Sequence, residues 1–237
     1  MRILVVSGIW PPDVGGPASH APDVARFLAG RGHQVDVVTT ASSAPAPEDF
    51  PVHWVSRRLP VGLRHVRGAA LIRSRARRAD VVYTTGLFGR SAAGSLSAGR
   101  PYIVKLTADP AFERTRRRGL VAGDVDEFQQ GGGGPVGLAL RSARNFELRR
   151  AAYIYCPSAY LRQLALAWGI PPERVSVLPN PAPWAGGGRR RRVSARRGRA
   201  GRTCPAQCAQ LRAAPRGVHL LPERVPPAAR ARVGHSA

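Results

Sequence analysis

The sequence predicts a doubly wound α/β domain with a parallel, Rossmann-like sheet, followed by a disordered tail. Short apolar runs typical of buried strands alternate with segments of helical spacing through residues 1–183. The first 40 residues have the order strand, glycine-containing loop, helix, strand, which is a βαβ unit and implies parallel strands. After residue 183 the composition changes abruptly.

The first unit can be followed residue by residue. Residues 2–7 (RILVVS) form an apolar run that ends before Gly8, as expected of a buried parallel strand. A loop with two prolines and two glycines follows. Residues 18–30 then show helical spacing, with small or apolar residues at Ala21, Ala25 and Leu28. Residues 34–40 (QVDVVTT) predict the second strand.

The alternation continues to residue 178. Further strands are predicted at 52–56, 80–85, 101–106, 153–156 and 175–178, and further helices at 63–79, 91–98, 136–150 and 159–169. Residues 107–134 are predicted as a long loop or partly helical excursion, with the run Gly131–Gly134 as a hinge or breaker. The resulting domain, 1–183, has an ordinary domain size.

The tail, residues 184–237, has a different character. It contains 13 arginines and one acidic residue, Glu223, and so contributes 13 − 1 = +12 to the formal net charge of +23 for the whole chain. Its eight large apolar residues show no sustained period. Such a segment buries too little surface to offset the entropy of ordering, so we predict disorder. The run GGGRRRR would bind polyanions, which leaves nucleic-acid binding as an alternative function, although no aromatic residues are interleaved for base stacking.

Composition argues against several kinds of site. The three cysteines, Cys156, Cys204 and Cys208, do not form the even, dense set of a disulfide framework, and the last two lack partners at zinc-site spacing. We therefore expect no metal and no cofactor. No apolar run approaches the ~18 residues of a membrane span, so we expect a cytoplasmic protein.

Three stretches of the sequence resemble family-4 glycosyltransferases, which have the GT-B fold of two facing Rossmann-like domains. They are PPDVGGPASHAPDVARFLAGRGHQVDVVTT, then KLTADPAFERTRRRG with VDEFQ, then AAYIYCPSAYLRQLALAWGIPPERVSVLPNP. The resemblance covers nearly all of residues 1–183. It implies the acceptor-side N-terminal domain of a retaining enzyme that uses a nucleotide sugar and a glycan or lipid-linked acceptor.

The sequence departs from the family after the hinge. There the resemblance implies a second domain with the nucleotide pocket and a glutamate pair, but only 54 residues with one glutamate remain. A truncated gene or a frameshift would produce such a tail. We therefore expect an incomplete catalytic unit with little or no transfer activity, and we assign no catalytic residue.

Gly15, Gly16 and His20 are the candidates for contact with the donor diphosphate. Backbone N–H groups before a helix, together with the helix N-terminus, favour an anion. His20 follows one turn later and could donate to an oxygen. A plain tight turn and a packed histidine are the alternatives, and the dinucleotide motif G-x-G-x-x-G of an epimerase-like protein is absent.

A second set is predicted to face the acceptor or the cleft, on the basis of strand ends and the resemblance. It comprises Thr85, Gly86, Lys105, Asp109 and Glu113, with Asn180 at the hinge. Asp109 before Pro110 also predicts a helix N-cap. Arg114 and Arg116–Arg118 could hold an anionic acceptor, or could form a solvated basic face.

The predicted helix at 63–79 is rich in arginine. Such a helix can dock on anionic lipid, which predicts peripheral membrane contact. A helix that simply covers the sheet has the same pattern and is the alternative interpretation.

Overall fold

The computed structural model describes residues 1–180, which contain a seven-stranded, entirely parallel sheet of order β3-β2-β1-β4-β5-β6-β7. The strands are β1 (Arg2–Ser7), β2 (Gln34–Ala41), β3 (Val52–Ser56), β4 (Val81–Thr84), β5 (Tyr102–Lys105), β6 (Tyr153–Cys156) and β7 (Val175–Val177). The predicted doubly wound α/β fold is therefore confirmed.

Seven helices connect these strands. They are α1 (Gly16–Gly30), α2 (Val61–Ala76), α3 (Phe88–Ser97), α4 (Pro110–Arg116), α5 (Val125–Gln129), α6 (Gly134–Arg149) and α7 (Ala159–Ala167), with a short 3₁₀ turn at Pro172–Arg174. Within the described part of the chain no helix has both the length and the apolar character needed to span a membrane.

Alternate residues of each strand face opposite sides of the sheet. On one side Leu4, Val38, Val104 and Ile154 pack with Ile72 of α2 in a single apolar cluster. Right-handed crossovers place the helices after β3, β4, β5 and β6 on this side, because those connections all run in one direction along the sheet. The β1–β2 connection runs the other way, so α1 packs on the opposite face.

The boundaries of β1, β3 and β6 agree with the sequence prediction, and the other elements differ at their ends. The main differences are in the helices. α1 begins two residues earlier than predicted, and α2 ends at Ala76 instead of continuing to residue 79. The segment 107–134 contains two short helices, and its glycine run forms a turn that leads into α6 at Gly134. The disordered tail predicted for 184–237 lies outside the described residues.

The parallel arrangement has one consequence for function. All seven strands end at the same edge of the sheet, so the loops after β1, β4 and β5 meet there. In open α/β sheets this carboxyl edge is where ligands bind, next to the point at which the strand order reverses. Here the order reverses between β1 and β4.

Candidate functional site

The β1–α1 loop brings a helix N-terminus to the carboxyl edge of the sheet. Gly15 precedes the helix in an extended conformation (φ 159, ψ 163), and α1 begins at Gly16. No acidic residue occupies the first turn of α1. The partial positive charge of the helix end is therefore not offset by a side chain of that turn, which favours an anion nearby.

Three polar side chains from separate elements meet beside this helix. His20 lies on α1, Tyr83 on β4 and Lys105 at the end of β5. The Nε2 atom of His20 is 2.9 Å from the Tyr83 hydroxyl and 3.3 Å from Lys105 Nζ. His20 and Lys105, predicted to contact the donor diphosphate and the acceptor or cleft respectively, are thus neighbours in the structure. Tyr83 is a further member of this group.

Lys105 is the only lysine of the chain, and it is buried, with 5 % of its surface exposed. Among residues 1–180 it forms no ion pair with a carboxylate. Burial lowers the pKa of Lys105. Burial and the neighbouring Lys105 also lower the pKa of His20 to about 4, so its imidazole is neutral at neutral pH.

Thr85 and Gly86 follow β4 at the same edge. Thr85 is buried, and its hydroxyl donates to Ser7 Oγ across 3.4 Å. A Cβ on Gly86 would lie 2.9 Å from the backbone nitrogen of Gly8. The loops after β1 and β4 are therefore in backbone contact, and this close approach requires glycine at position 86.

Asp109 occupies a different, buried network. It caps α4, as predicted from the following proline, by accepting a 2.8 Å hydrogen bond from the Ala111 N–H. Its other oxygen accepts from Arg144, at 2.5 Å, and from Gln129, at 2.8 Å. The Arg144 guanidinium also stacks 3.8 Å from the ring centre of Trp168. These bonds occupy both carboxylate oxygens of Asp109.

The remaining predicted residues lie apart from these groups. Glu113 lies on α4 with 42 % of its side chain exposed, 3.8 Å from Arg117. Asn180 is exposed at the end of the described residues. No group of three or more His, Cys, Asp or Glu side chains within residues 1–180 is placed to share a metal ion. The roles suggested for these residues in the cleft stay predictions.

A cavity of about 1090 Å³ opens at the same edge of the sheet, between α2, α3, α4 and α6. Its lining includes Gly8 and Ile9, which follow β1, and Thr40 near the end of β2. Six arginines line it, namely Arg57, Arg64, Arg90, Arg114, Arg117 and Arg118. One carboxylate, that of Glu147, lines it as well. Arg116, grouped with its neighbours by the sequence, is not part of the lining.

Arg57, Arg90 and Glu147 were not identified from the sequence as site residues. A signal existed for Glu147, because it is the single acidic residue of α6. Arg90 stands at the start of a helix otherwise made mostly of small residues. Neither feature indicates a partner, since the side chains that meet in the cavity come from elements far apart in the chain.

Comparison with known proteins gives one family match. The profile of the glycosyl transferase 4-like domain matches residues 15–181. No curated protein matches the sequence. The matched range includes β2–β7 and all seven helices. It also includes the group of His20, Tyr83 and Lys105 and the arginines of the cavity.

Solved structures show the same fold at low sequence identity. HepE of Anabaena in complex with UDP-glucose is 18% identical with a TM-score of 0.50, over 76% of this chain and 44% of the HepE chain. Sucrose-phosphate synthase of Thermosynechococcus elongatus is 12% identical with a TM-score of 0.51, over 75% and 47% of the two chains. The chain thus spans less than half the length of these structures. The matches give no support to the nucleic-acid alternative.

Proposed function

We propose that this chain, which belongs to the glycosyl transferase 4-like domain family, forms the acceptor-side wall of a sugar-nucleotide-dependent glycosyltransferase of the GT-B type. The described residues form one Rossmann-like domain with its carboxyl edge lined by cations. A donor-binding domain would supply the facing wall. Closure of the two would exclude water and place the acceptor hydroxyl beside the anomeric carbon.

One observation carries the proposal. A helix N-terminus and a buried lysine without a carboxylate partner in the described residues lie together beside the reversal of strand order. A nucleoside diphosphate leaving group develops negative charge during transfer, and these groups are placed to stabilise it. The neutral His20 can donate one hydrogen bond to an oxygen without adding a second buried charge to Lys105.

The solved relatives agree with this assignment of the donor. The HepE structures with a TM-score of 0.50 were determined with UDP-glucose and with UDP plus glucose. We extend this to a uridine-type nucleotide sugar for the present chain. Transfer with retention of configuration, a glycan or lipid-linked acceptor and peripheral membrane contact belong to the same proposal.

Binding of UDP tests the donor-phosphate edge. We expect millimolar UDP to shift the amide resonances of Gly15, Gly16 and His20 in the 237-residue protein. Lys105→Met keeps the length of the side chain but removes the charge, so it should weaken this response several-fold. Shifts that avoid these residues, or a response unchanged by Lys105→Met, would refute the assigned edge.

Transfer itself is a second test. With radiolabelled UDP-glucose, the purified 237-residue chain should give no glycosylated product, because contact with the diphosphate alone does not place the anomeric carbon beside an acceptor without the facing domain. Joining residues 1–180 to the donor-binding domain of HepE should create acceptor-dependent release of UDP. A product formed by the unmodified chain would contradict the proposal that transfer requires both an acceptor-side and a donor-binding domain.

A further inference from the structure

The arginine-lined cavity contains more positive charge than the described residues neutralise. Arg57 lies 3.4 Å from Asp13 and donates to the carbonyl oxygens of Gly8 and Thr40. Arg117 lies 3.8 Å from Glu113. Arg64, Arg90, Arg114 and Arg118 have no carboxylate within 4.0 Å in residues 1–180.

Arg90 is held in the cavity by the shape of the neighbouring helix. Its side chain crosses α2 at Gly68, where a Cβ would lie 2.9 Å from Arg90 Cδ. Its Nη1 atom is buried and has no hydrogen-bond partner among residues 1–180. Burial, with Arg64 and Arg114 nearby, lowers the pKa of Arg90 to about 10, so the group stays charged at neutral pH. A buried donor without an acceptor is costly, and a bound anion would remove that cost.

Glu147 offsets only part of this charge, because it is one carboxylate among six arginines. Its Oε1 atom lies against Gly89, where a Cβ would be 2.6 Å away, and its Oε2 atom is buried with no hydrogen-bond partner in the described part of the chain. Burial raises the pKa of this carboxyl, and Arg114 acts in the opposite direction. The Tyr102 hydroxyl donates to the Glu147 carbonyl and fixes this part of α6. The Glu147 side chain thus lines the cavity beside Gly89, next to the arginines.

We propose that this cavity binds the phosphate or diphosphate group of the acceptor, with Arg90 at the centre and Arg64 and Arg114 beside it. The inference rests on the proposed function, in which this domain holds the acceptor. Guanidinium groups bind phosphate through paired hydrogen bonds, and several of them together suit the higher charge of a phosphate better than that of a carboxylate.

The cavity also limits what is attached to the phosphate. Its volume of about 1090 Å³ leaves room for a sugar or another polar group. No Phe, Tyr or Trp of residues 1–180 lines it, so these residues offer no stacking surface for nucleic-acid bases. Val66 lines the opening and is 68 % exposed, which would suit an acceptor whose phosphate is linked to a lipid chain. A soluble sugar phosphate offers the same charged group.

Pyrophosphate is the first probe. Titrated into the 237-residue protein at about 150 mM salt, it should shift the amide resonances of Gly89, Arg90 and Arg114. Arg90→Met should weaken this response about tenfold, because one charge-assisted contact is lost. Arg67→Gln is the control for position, since Arg67 is an exposed arginine of α2 that does not line the cavity. Arg114→Gln gives a second test if Arg90→Met does not fold.

The source of the phosphate is decided with vesicles. Phosphatidylcholine vesicles with and without undecaprenyl phosphate are compared for co-sedimentation of the wild type and of Arg90→Met. Extra binding that is lost in Arg90→Met identifies a lipid-linked acceptor, whereas pyrophosphate binding with no vesicle difference identifies a soluble phosphate. No site-specific response to pyrophosphate, or equal losses in Arg90→Met and Arg67→Gln, would overturn the inference. If UDP still acts on His20, the proposed function survives that failure.

Discussion

Arg90 and Arg144 are both largely shielded from solvent, but they differ in whether the protein neutralises their charge. Arg144 is 1 % exposed, bonded to Asp109 and Gln129 and stacked on Trp168. Arg90 has like charges nearby, and its buried Nη1 atom has no hydrogen-bond partner within the described residues. A buried charge that the protein neutralises serves the fold, and one that it leaves unneutralised is evidence for a ligand.

Removal of the partner of Arg144 should have the largest effect. Asp109→Ala leaves the guanidinium buried without a counterion and removes a helix cap, so we expect the free energy of unfolding to fall by about 3–5 kcal/mol. Urea denaturation measures this.

Asp124→Ala is the control, because Asp124 also caps a helix, by accepting from the Glu127 N–H at 2.9 Å, but is exposed. Its loss should be about 1 kcal/mol. Equal losses in the two variants would show that the buried ion pair adds nothing beyond the cap.

Lys105 is a third buried cation, and its neighbour His20 makes the comparison dependent on pH. The pKa of His20 is lowered from 6.5 to about 4 in the folded state, so the unfolded chain binds more protons between these values. The stability should therefore rise with pH through this window, by roughly 2–3 kcal/mol in total.

Thermal unfolding between pH 4 and 7 measures this effect, with His20→Gln as the control that should lose the His20 share of the slope. NMR titration of Lys105→Met should show the pKa of His20 raised towards 6.5 but still below it, because burial is the larger cause. A wild-type His20 that titrates near 6.5 would contradict the proposed neutral imidazole.

Replacement of Arg90 should have the smallest effect, with the opposite sign. Arg90→Met retains most of the apolar stem and removes the unneutralised charge, so in phosphate-free buffer the free energy of unfolding should rise by about 1 kcal/mol. Arg67→Met, on the exposed side of α2, should change it by less than about 0.5 kcal/mol. A loss as large as that of Asp109→Ala would mean that Arg90 serves the fold after all.

The order and type of the main elements could be predicted from the sequence, because each depends on neighbours within a few residues. The apolar run of β1 and the small-residue spacing of α1 are local signals. The N-cap at Asp109 was also predictable, since Pro110 marks the first turn. The ends of α2 and the helices within 107–134 were predicted less well, because propensity there is weak and tertiary packing decides.

The site depended on contacts that the sequence does not display. His20 and Lys105 are 85 residues apart, and Arg144 is 35 residues from Asp109. Each of these was visible as a polar residue, but no local pattern indicated which polar residue would be its partner. The basic run 114–118 is divided in the structure, because Arg114, Arg117 and Arg118 line the cavity whereas Arg116 lies over the Phe112 ring, 6.0 Å from its centre.

Gly68 carries a consequence for anyone who tries to make this protein more robust. A glycine inside α2 lowers helix stability by about 1 kcal/mol relative to alanine, so Gly68→Ala is an obvious thermostabilising choice. The added methyl group would meet Arg90 Cδ at 2.9 Å and displace that side chain. The substitution would thus stabilise α2 but weaken ligand binding through the displaced Arg90. Selection for thermal stability alone would therefore reduce the activity that Gly68 permits.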